Sequence, residues 1–308
     1  MTLPSCRTEP LPGRQFTIIL NDQERTRWRF DEETPRPCFF PIVGPSGTCL
    51  TRMGHPGAPN HDHHRSVWWA HNAVACVDFW SEGKGPRIRQ REWFAIEDGE
   101  EETRFAVGLD WLDGHDPAPL LRQEMIACAR PLEGGEWTLE LQSTWTAPGA
   151  TELGKTNFGF LAVRVAKHLS ERFGSGVLTG ETGGQGEPAL FGKPSRWTDY
   201  SGPVPAQAGA DFEKEGIAFF DHPQNPGSPA NWHVREDGWM GPSFNRNGPY
   251  ALGPDRPLTL RYLLWMHRGD GEPTRMLPRY EAFAATPALS VIASSKPHVM
   301  YEIVRQET

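Results

Sequence analysis

"RIRQREWFAIEDGEEETRFAVGLDWLDG" (residues 87–114), followed closely by "LLRQEMIACARPLEGGEWTLELQSTWTA" (120–147), decides what kind of chain this is. Polar and apolar residues alternate through both blocks, as they should in antiparallel strands buried on one face only. Each block is broken once, by Asp98-Gly99 in the first and Glu133-Gly134-Gly135 in the second. Those residue types supply the backbone geometry of a hairpin turn. The pattern predicts two consecutive hairpins, four strands in all.

Similar segments extend the pattern in both directions. "RQFTIILND" (14–22), "RTRWRF" (25–30), "GIAFFDH" (216–222) and "LTLRYLLWMHRGD" (258–270) read as strands, and "PCFFPIVGPSG" (37–47) as an extended segment ending in a turn. "FGFLAVRVAKHLSERFG" (158–174) begins like a strand and ends like a short helix, while "PTRMLPRYEAFAAT" (273–286) is the best helix candidate. The prolines and glycines of 183–210 exclude long helices there. With 32 glycines, 29 prolines and 12 tryptophans among 308 residues, short strands and turns are favoured over a helical bundle. No repeat or change in composition marks a linker. The expected fold is all-β: one large antiparallel β-sandwich domain spanning 1–308, with a few short helices. The alternative is a two-domain β protein divided near residue 150.

Composition removes several functions. The net charge is −8 and no Lys/Arg run could track a phosphate backbone, so no nucleic-acid partner is expected. No window of 18 apolar residues exists and the N-terminal stretch lacks an apolar targeting core, which predicts a cytoplasmic protein with no membrane partner. Cys6, Cys38, Cys49, Cys76 and Cys128 are odd in number and form no C-x-x-C pair, so free thiols are expected. There is no nucleophile elbow, P-loop or kinase set, and Gly-rich 180–188 lacks the strand-to-helix context of a dinucleotide loop. The sequence names no cofactor, and it leaves a homo-oligomer open.

Polar, chemically capable residues gather in three places. The first is "NHDHHRSVWWAHN" (60–72), which holds His61, His63, His64, Arg65, Trp68, Trp69 and His71. The second is "GKPSRWTDYSG" (192–202), with Asp199, and the third "FDHPQNPGSPANWHVRE" (220–236), with His222, Asn225, Trp232, His233 and Arg235. All three are turn-rich, so they are expected to lie on loops or strand ends that converge on one site. Indole faces rimmed by His, Arg, Asp and Asn suit a sugar: C–H groups lie on the ring and hydroxyls meet the polar groups. A metal site is a competing reading, with His63 joined by His71, His222 or His233, although no ligand signature fixes it. Each residue also has a structural reading: a lone Trp is usually core, and Asp221-His222-Pro223 suits a simple turn.

The segments "RPCFFPIVGPSGTCLTR", "HDHHRSVWWAH", "VDFW", "GKPSRWTDYSGPV", "GIAFFDHPQNPGSPANWHVR" and "LRYLLWMHRGDG" together resemble the PmoA-like family, a domain of unknown function often named methane oxygenase. Asn60, Asp62 and Ser66 depart from that family's commoner histidine motif. Methane oxidation is rejected, because particulate methane monooxygenase subunits are integral membrane proteins. The resemblance implies instead a galactose-mutarotase-like β-supersandwich and a setting in sugar oxidation and glycoside breakdown.

Taken together, the expected function is a carbohydrate-active enzyme using His acid/base chemistry on a small sugar or keto-glycoside, by elimination, hydrolysis or epimerisation. His63, His64, His222 and His233 form the expected catalytic pool. Arg65, Trp68, His71, Asp199, Asn225, Trp232 and Arg235 are expected to bind substrate. The alternatives are a non-catalytic carbohydrate-binding protein and a metal-dependent sugar lyase or hydrolase.

Overall fold

The structure is a computed structural model that describes residues 3–55, 61–205 and 213–307; Asn60 and residues 206–210 of the Gly/Pro-rich segment lie outside it. Two eight-stranded antiparallel sheets dominate. The order in the first is β1 (Cys6–Leu11), β2 (Gln15–Leu20), β3 (Gln23–Arg29), β4 (Cys38–Ile42), β5 (Val67–Ala70), β11 (Phe160–Arg164), β16 (Trp239–Ser243), β15 (Asn231–Arg235). The second runs β12 (Val177–Gly180), β13 (Trp197–Val204), β14 (Glu213–Asp221), β18 (Leu258–Arg268), β9 (Trp137–Thr146), β8 (Leu121–Pro131), β7 (Thr103–Leu112), β6 (Arg87–Glu97). The opening stretch is therefore the β6–β9 meander. Its second turn places Gly134 and Gly135 at φ 67° and 79°, where a Cβ would be strained. Small pairs β10 (Thr151–Leu153) with β17 (Tyr250–Leu252), and β19 (Leu289–Ala293) with β20 (Tyr301–Arg305), complete the strands. The expected all-β sandwich with few short helices is the observed one. Strands from both sides of residue 150 enter each sheet.

One continuous core fills the space between the sheets. Phe39, Val67, Trp69, Leu161, Val163, Trp232 and Met240 come from the first sheet, and Phe105, Leu139, Leu141, Tyr200, Ile217, Phe219 and Leu264 from the second. Each such side chain contributes roughly 1.5–3 kcal/mol by leaving water. Period two then sends the intervening residues outward.

The two outer faces are covered differently, and this places the site. A one-turn helix α1 spans Glu187–Leu190, and over the second sheet lies helix α2 (Pro273–Ala284), whose Met276, Tyr280 and Phe283 pack on Trp197, Ala218, Phe220, Leu263 and Trp265. The β19–β20 hairpin covers the rest of that face through Leu289 and Ile303 against Ala106, Ile126 and Cys128. Outward residues of the first sheet (Cys38, Trp68, Ala70, Ala162 and Trp239) instead meet Trp80, with Met53 and Phe158 packed alongside. Regular structure closes one face; loops rich in His and Trp close the other.

Cys6, Cys38 and Cys128 are buried free thiols, whereas Cys49 is partly exposed and Cys76 exposed. Among the described residues no helix is long and apolar enough to cross a membrane.

Candidate functional site

The histidine-rich stretch approaches β5 from outside the sheet. Ser66 makes the entry turn at φ 62°, in the left-handed region that costs a non-glycine residue energy, and its hydroxyl hydrogen-bonds Thr51 Oγ1 at 2.7 Å. Arg36, only 1% exposed, pins the loop. Its guanidinium donates to the carbonyls of His63 and, at 3.0 Å, Phe79, and lies 3.2 Å from Glu82. Arg65 grips the same Glu82 with two bonds of 2.7 and 2.6 Å. Both arginines are thus committed to holding the loop, and Arg65 has little left to offer a substrate.

The imidazoles stack onto the outward indoles. His64 lies face to face with Trp68 at 5.3 Å and with His61 at 5.1 Å, and edge-on to His63 at 4.6 Å. Trp239 sits between His64 (5.4 Å) and His233 (4.0 Å), so the first and third sequence clusters do meet. Trp80 and Phe158 close the side, 4.6 Å apart. Arg164, opposite Trp239 in the β11–β16 register, is fully buried and bonds Asp237 at 2.7 Å. His233 is oriented by Asn157: its Nδ1 lies 3.2 Å from that residue's carbonyl, which can only accept. The proton therefore sits on Nδ1, leaving the Nε2 lone pair available.

Several buried nitrogens here have no partner among the described residues: Nδ1 of His61 and His64, Nε1 of Trp68 and Trp239, Nε and Nη2 of Arg164. Unsatisfied groups of this kind are rare in native proteins and collect at functional sites. The indole and guanidinium members are donors only, so the chemistry that would satisfy them is an oxygen acceptor.

Burial keeps these imidazoles neutral. His63 is pushed down to about 4 by burial and then by Arg36, and His233 to about 3 by burial and then by Arg235. His64 and His61 move the same way for the same first reason, each with Arg164 also contributing. Away from this face, burial likewise brings His71 and His222 to about 4. An unfolded imidazole titrates near 6.5, so below that pH the unfolded chain binds protons that the native one refuses. The contribution of these neutral imidazoles to stability should be full above pH 6.5 and fall as pH drops from about 6.5 to 4. For His71, His222 and His233 together the loss is on the order of 8 kcal/mol, read as a falling urea midpoint between pH 7 and pH 4.5.

Several expected site residues lie elsewhere. Trp232 alternates with His233, points into the core with no exposed surface, and donates its Nε1–H to the Ser195 carbonyl at 2.7 Å. It is not a stacking platform. Trp68 is on the right face, but its ring is already covered by His64. Asp199 lies on the outer face of the second sheet, bonded to His267 Nε2 at 2.6 Å. His222, one residue past the end of β14, lies beside Phe283 of α2 and 3.0 Å from Arg261, on the same side as Asp199. Asn225 spends its amide on Asp221 (2.7 Å) and on both backbone groups of Arg261 (2.8 Å each), so the turn reading of 221–225 describes its bonds. His71 is fully buried against Phe160 and Asn245. Arg235 borders the site but is paired with Glu187 at 2.7 Å. Of the expected residues, His63, His64, Arg65, Trp68, His233 and Arg235 are brought together; His71, His222, Asp199, Asn225 and Trp232 are not. The separation also removes His71 and His222 as metal partners of His63. Among the described residues no three His, Cys, Asp or Glu side chains are arranged to hold a metal ion.

Trp239, Arg164, Asp237 and Phe158 were not singled out by sequence reasoning. Arg164 carried a usable signal: a charged residue in the apolar strand "FLAVRVA", on the opposite parity from Leu161 and Val163.

Fold and site together define an antiparallel double-sheet sandwich with a His/Trp/Arg site on one outer face. The chain belongs to DUF6807, a family of unknown function, whose model matches residues 15–280. This match corrects the PmoA-like assignment, for which no family match is found. The sequence matches none of the curated proteins. Among solved structures it is similar to a GalM/aldose epimerase homologue from C. elegans, at 9% identity and TM-score 0.33, covering 86% of this chain and 99% of that one. A 4-alpha-glucanotransferase from Thermococcus litoralis matches at 8% and 0.34, covering 87% of this chain and 40% of that one. A beta-arabinopyranosidase matches at 12% and 0.30, covering 79% and 38%. Likenesses this slight carry no argument about activity.

Proposed function

We propose that the outer face of the first sheet is the active site of a carbohydrate-active enzyme that moves protons on a sugar or keto-glycoside. The observation that carries this reading is the meeting of His64 and His233 on either side of Trp239, with His63 edge-on to His64 and unpaired N–H donors among them. His233 Nε2 is the base, its tautomer held by the Asn157 carbonyl. Neutral imidazoles and indole N–H groups then face the oxygen of a sugar carbonyl. They stabilise it as negative charge develops, because a neutral donor does not have to lose a proton to hold an enolate. Returning that proton to the opposite face of the enolate gives the epimer. Breaking the C–O bond β to the carbonyl instead, with the proton passing to the departing oxygen, releases an alcohol and leaves an enone, and addition of water across its C=C completes a net hydrolysis.

Because the imidazoles titrate low, activity should be flat from pH 5 to 8 and fall only near pH 4. A plain sugar-binding protein would share that flat affinity, so pH does not separate the two. Product formation does. The test is incubation with methyl 3-keto-β-D-glucopyranoside and its unoxidised parent, with and without chelator, followed by NMR. New products from the keto sugar, unaffected by chelator, are expected. Binding without any product would favour the sugar-binding protein, and loss of products with chelator the metal-dependent enzyme.

A further inference from the structure

Charge on this face is not balanced. Arg36 and Arg65 share a single carboxylate, Glu82. Arg164 shares Asp237 with His55, and the Arg52 guanidinium reaches, among the described residues, the Asp237 carbonyl at 2.8 Å and no carboxylate. Arg246 pairs with no carboxylate among the described residues; its guanidinium lies 5.0 Å over the Phe191 ring. That ring in turn meets His233 edge-on at 4.9 Å. Glu187 and Glu236, which line the depression beside Phe191, are occupied by Arg235 and Arg172 at 2.7 and 2.5 Å. Asp78, another acid near Arg36 and His63, accepts the backbone N–H groups of Trp80 and Ser81 and pairs with no arginine, so among the described residues the arginines of this face outnumber the carboxylates paired with them, in a chain whose net charge is −8.

The hydrogen-bond inventory points the same way. Nη1 of Arg246, Nε of Arg52, and Nε and Nη2 of Arg164 are all buried without partners. Leaving guanidinium N–H groups dry and unpaired is costly. An anionic oxygen group removes that cost, and guanidinium is the side chain whose planar fork fits carboxylate or phosphate. A depression of about 450 Å³, lined by Glu187, Pro188, Phe191 and Glu236, opens beside Phe191.

We propose that the ligand of this face is an anionic sugar, a uronate or a sugar phosphate, with Arg246 receiving its charged group beside His233. The inference rests on the carbohydrate reading of the same face. Arg246 acts here as a specificity residue: it selects which sugar enters and takes no part in the proton transfer.

Calorimetric titration with methyl β-D-glucoside, methyl β-D-glucuronoside and D-glucose 6-phosphate tests it, using wild type, Arg246→Gln and His64→Ala. At least one anionic sugar should bind about tenfold more tightly than the neutral glucoside, the preference shrinking with added salt. The better of the two identifies carboxylate or phosphate as the source. Arg246→Gln, at a partly exposed position, should bring the anionic sugar down to the neutral level and leave the neutral affinity unchanged. Equal binding of all three, lost in His64→Ala, would overturn the anion inference and keep the carbohydrate site. A charge preference that survives Arg246→Gln would overturn the assignment of Arg246. Absence of binding by every sugar would overturn the carbohydrate reading and this inference with it.

Discussion

His233→Ala should lower turnover of a keto-glycoside by about two to four orders of magnitude, the usual contribution of a positioned general base. His64→Ala should approach the same loss by a different route. It removes the neutral imidazole stacked on Trp68 and leaves the developing oxyanion short of a donor. Both rings are buried, at 7% and 2% exposure, so each variant also leaves a cavity and loses roughly 1–3 kcal/mol of stability. Thermal melting monitored by circular dichroism separates that cost from the chemical one. Added imidazole should partly restore His233→Ala, since the cavity beside Trp239 can accept it. Unchanged turnover in both variants would remove the acid/base assignment.

The opposite profile is expected on the second sheet. Asp199→Ala should destabilise the protein by about 3–5 kcal/mol, because it strands the fully buried His267 that it holds at 2.6 Å. Turnover by the folded fraction should be unaffected, since Asp199 and the His64 face lie on opposite outer sides of the sandwich. The pH signature should change as well. Burial disfavours the His267 imidazolium, but Asp199 outweighs it and raises the pKa above the ordinary 6.5. This pair therefore contributes stability that is full below pH 6.5 and is lost as pH rises through the raised value. In Asp199→Ala that dependence should vanish from the urea midpoint measured between pH 6 and 9. A variant as stable as wild type, or an inactive folded one, would contradict this placement.

These two results bear on how much the sequence reveals. The β6–β9 meander was legible because alternation and hairpin turns are local, and a period of two admits one structure. The same rule, pressed harder, separates Trp232 from His233: adjacent strand residues face opposite sides, so "NWHVR" could not offer both to one ligand. Which sheet each polar cluster joins was not legible. Asp199 sits on β13, which pairs with β14, and His222 directly follows β14, which pairs with β18, whereas His233 pairs through β16 and β11 toward β5, and strand order depends on contacts far apart in sequence. Composition could gather the candidates but could not sort them between two outer faces. Arg164 and Trp239 were missed for a related reason. Each is a single polar or aromatic residue in an apolar strand and gains meaning only opposite the other.

Proton exchange tests the central claim most directly. Methyl 3-keto-β-D-glucopyranoside and its 6-carboxylate analogue would be held in D2O at pH 7 with wild type and with His233→Ala, and the C–H signals beside the carbonyl followed by NMR. Wild type should wash out at least one of those signals faster than buffer, with folded His233→Ala reduced to the buffer rate. Exchange by wild type no faster than buffer, or equally fast in the variant, would contradict a proton-transfer site built around His233 and His64.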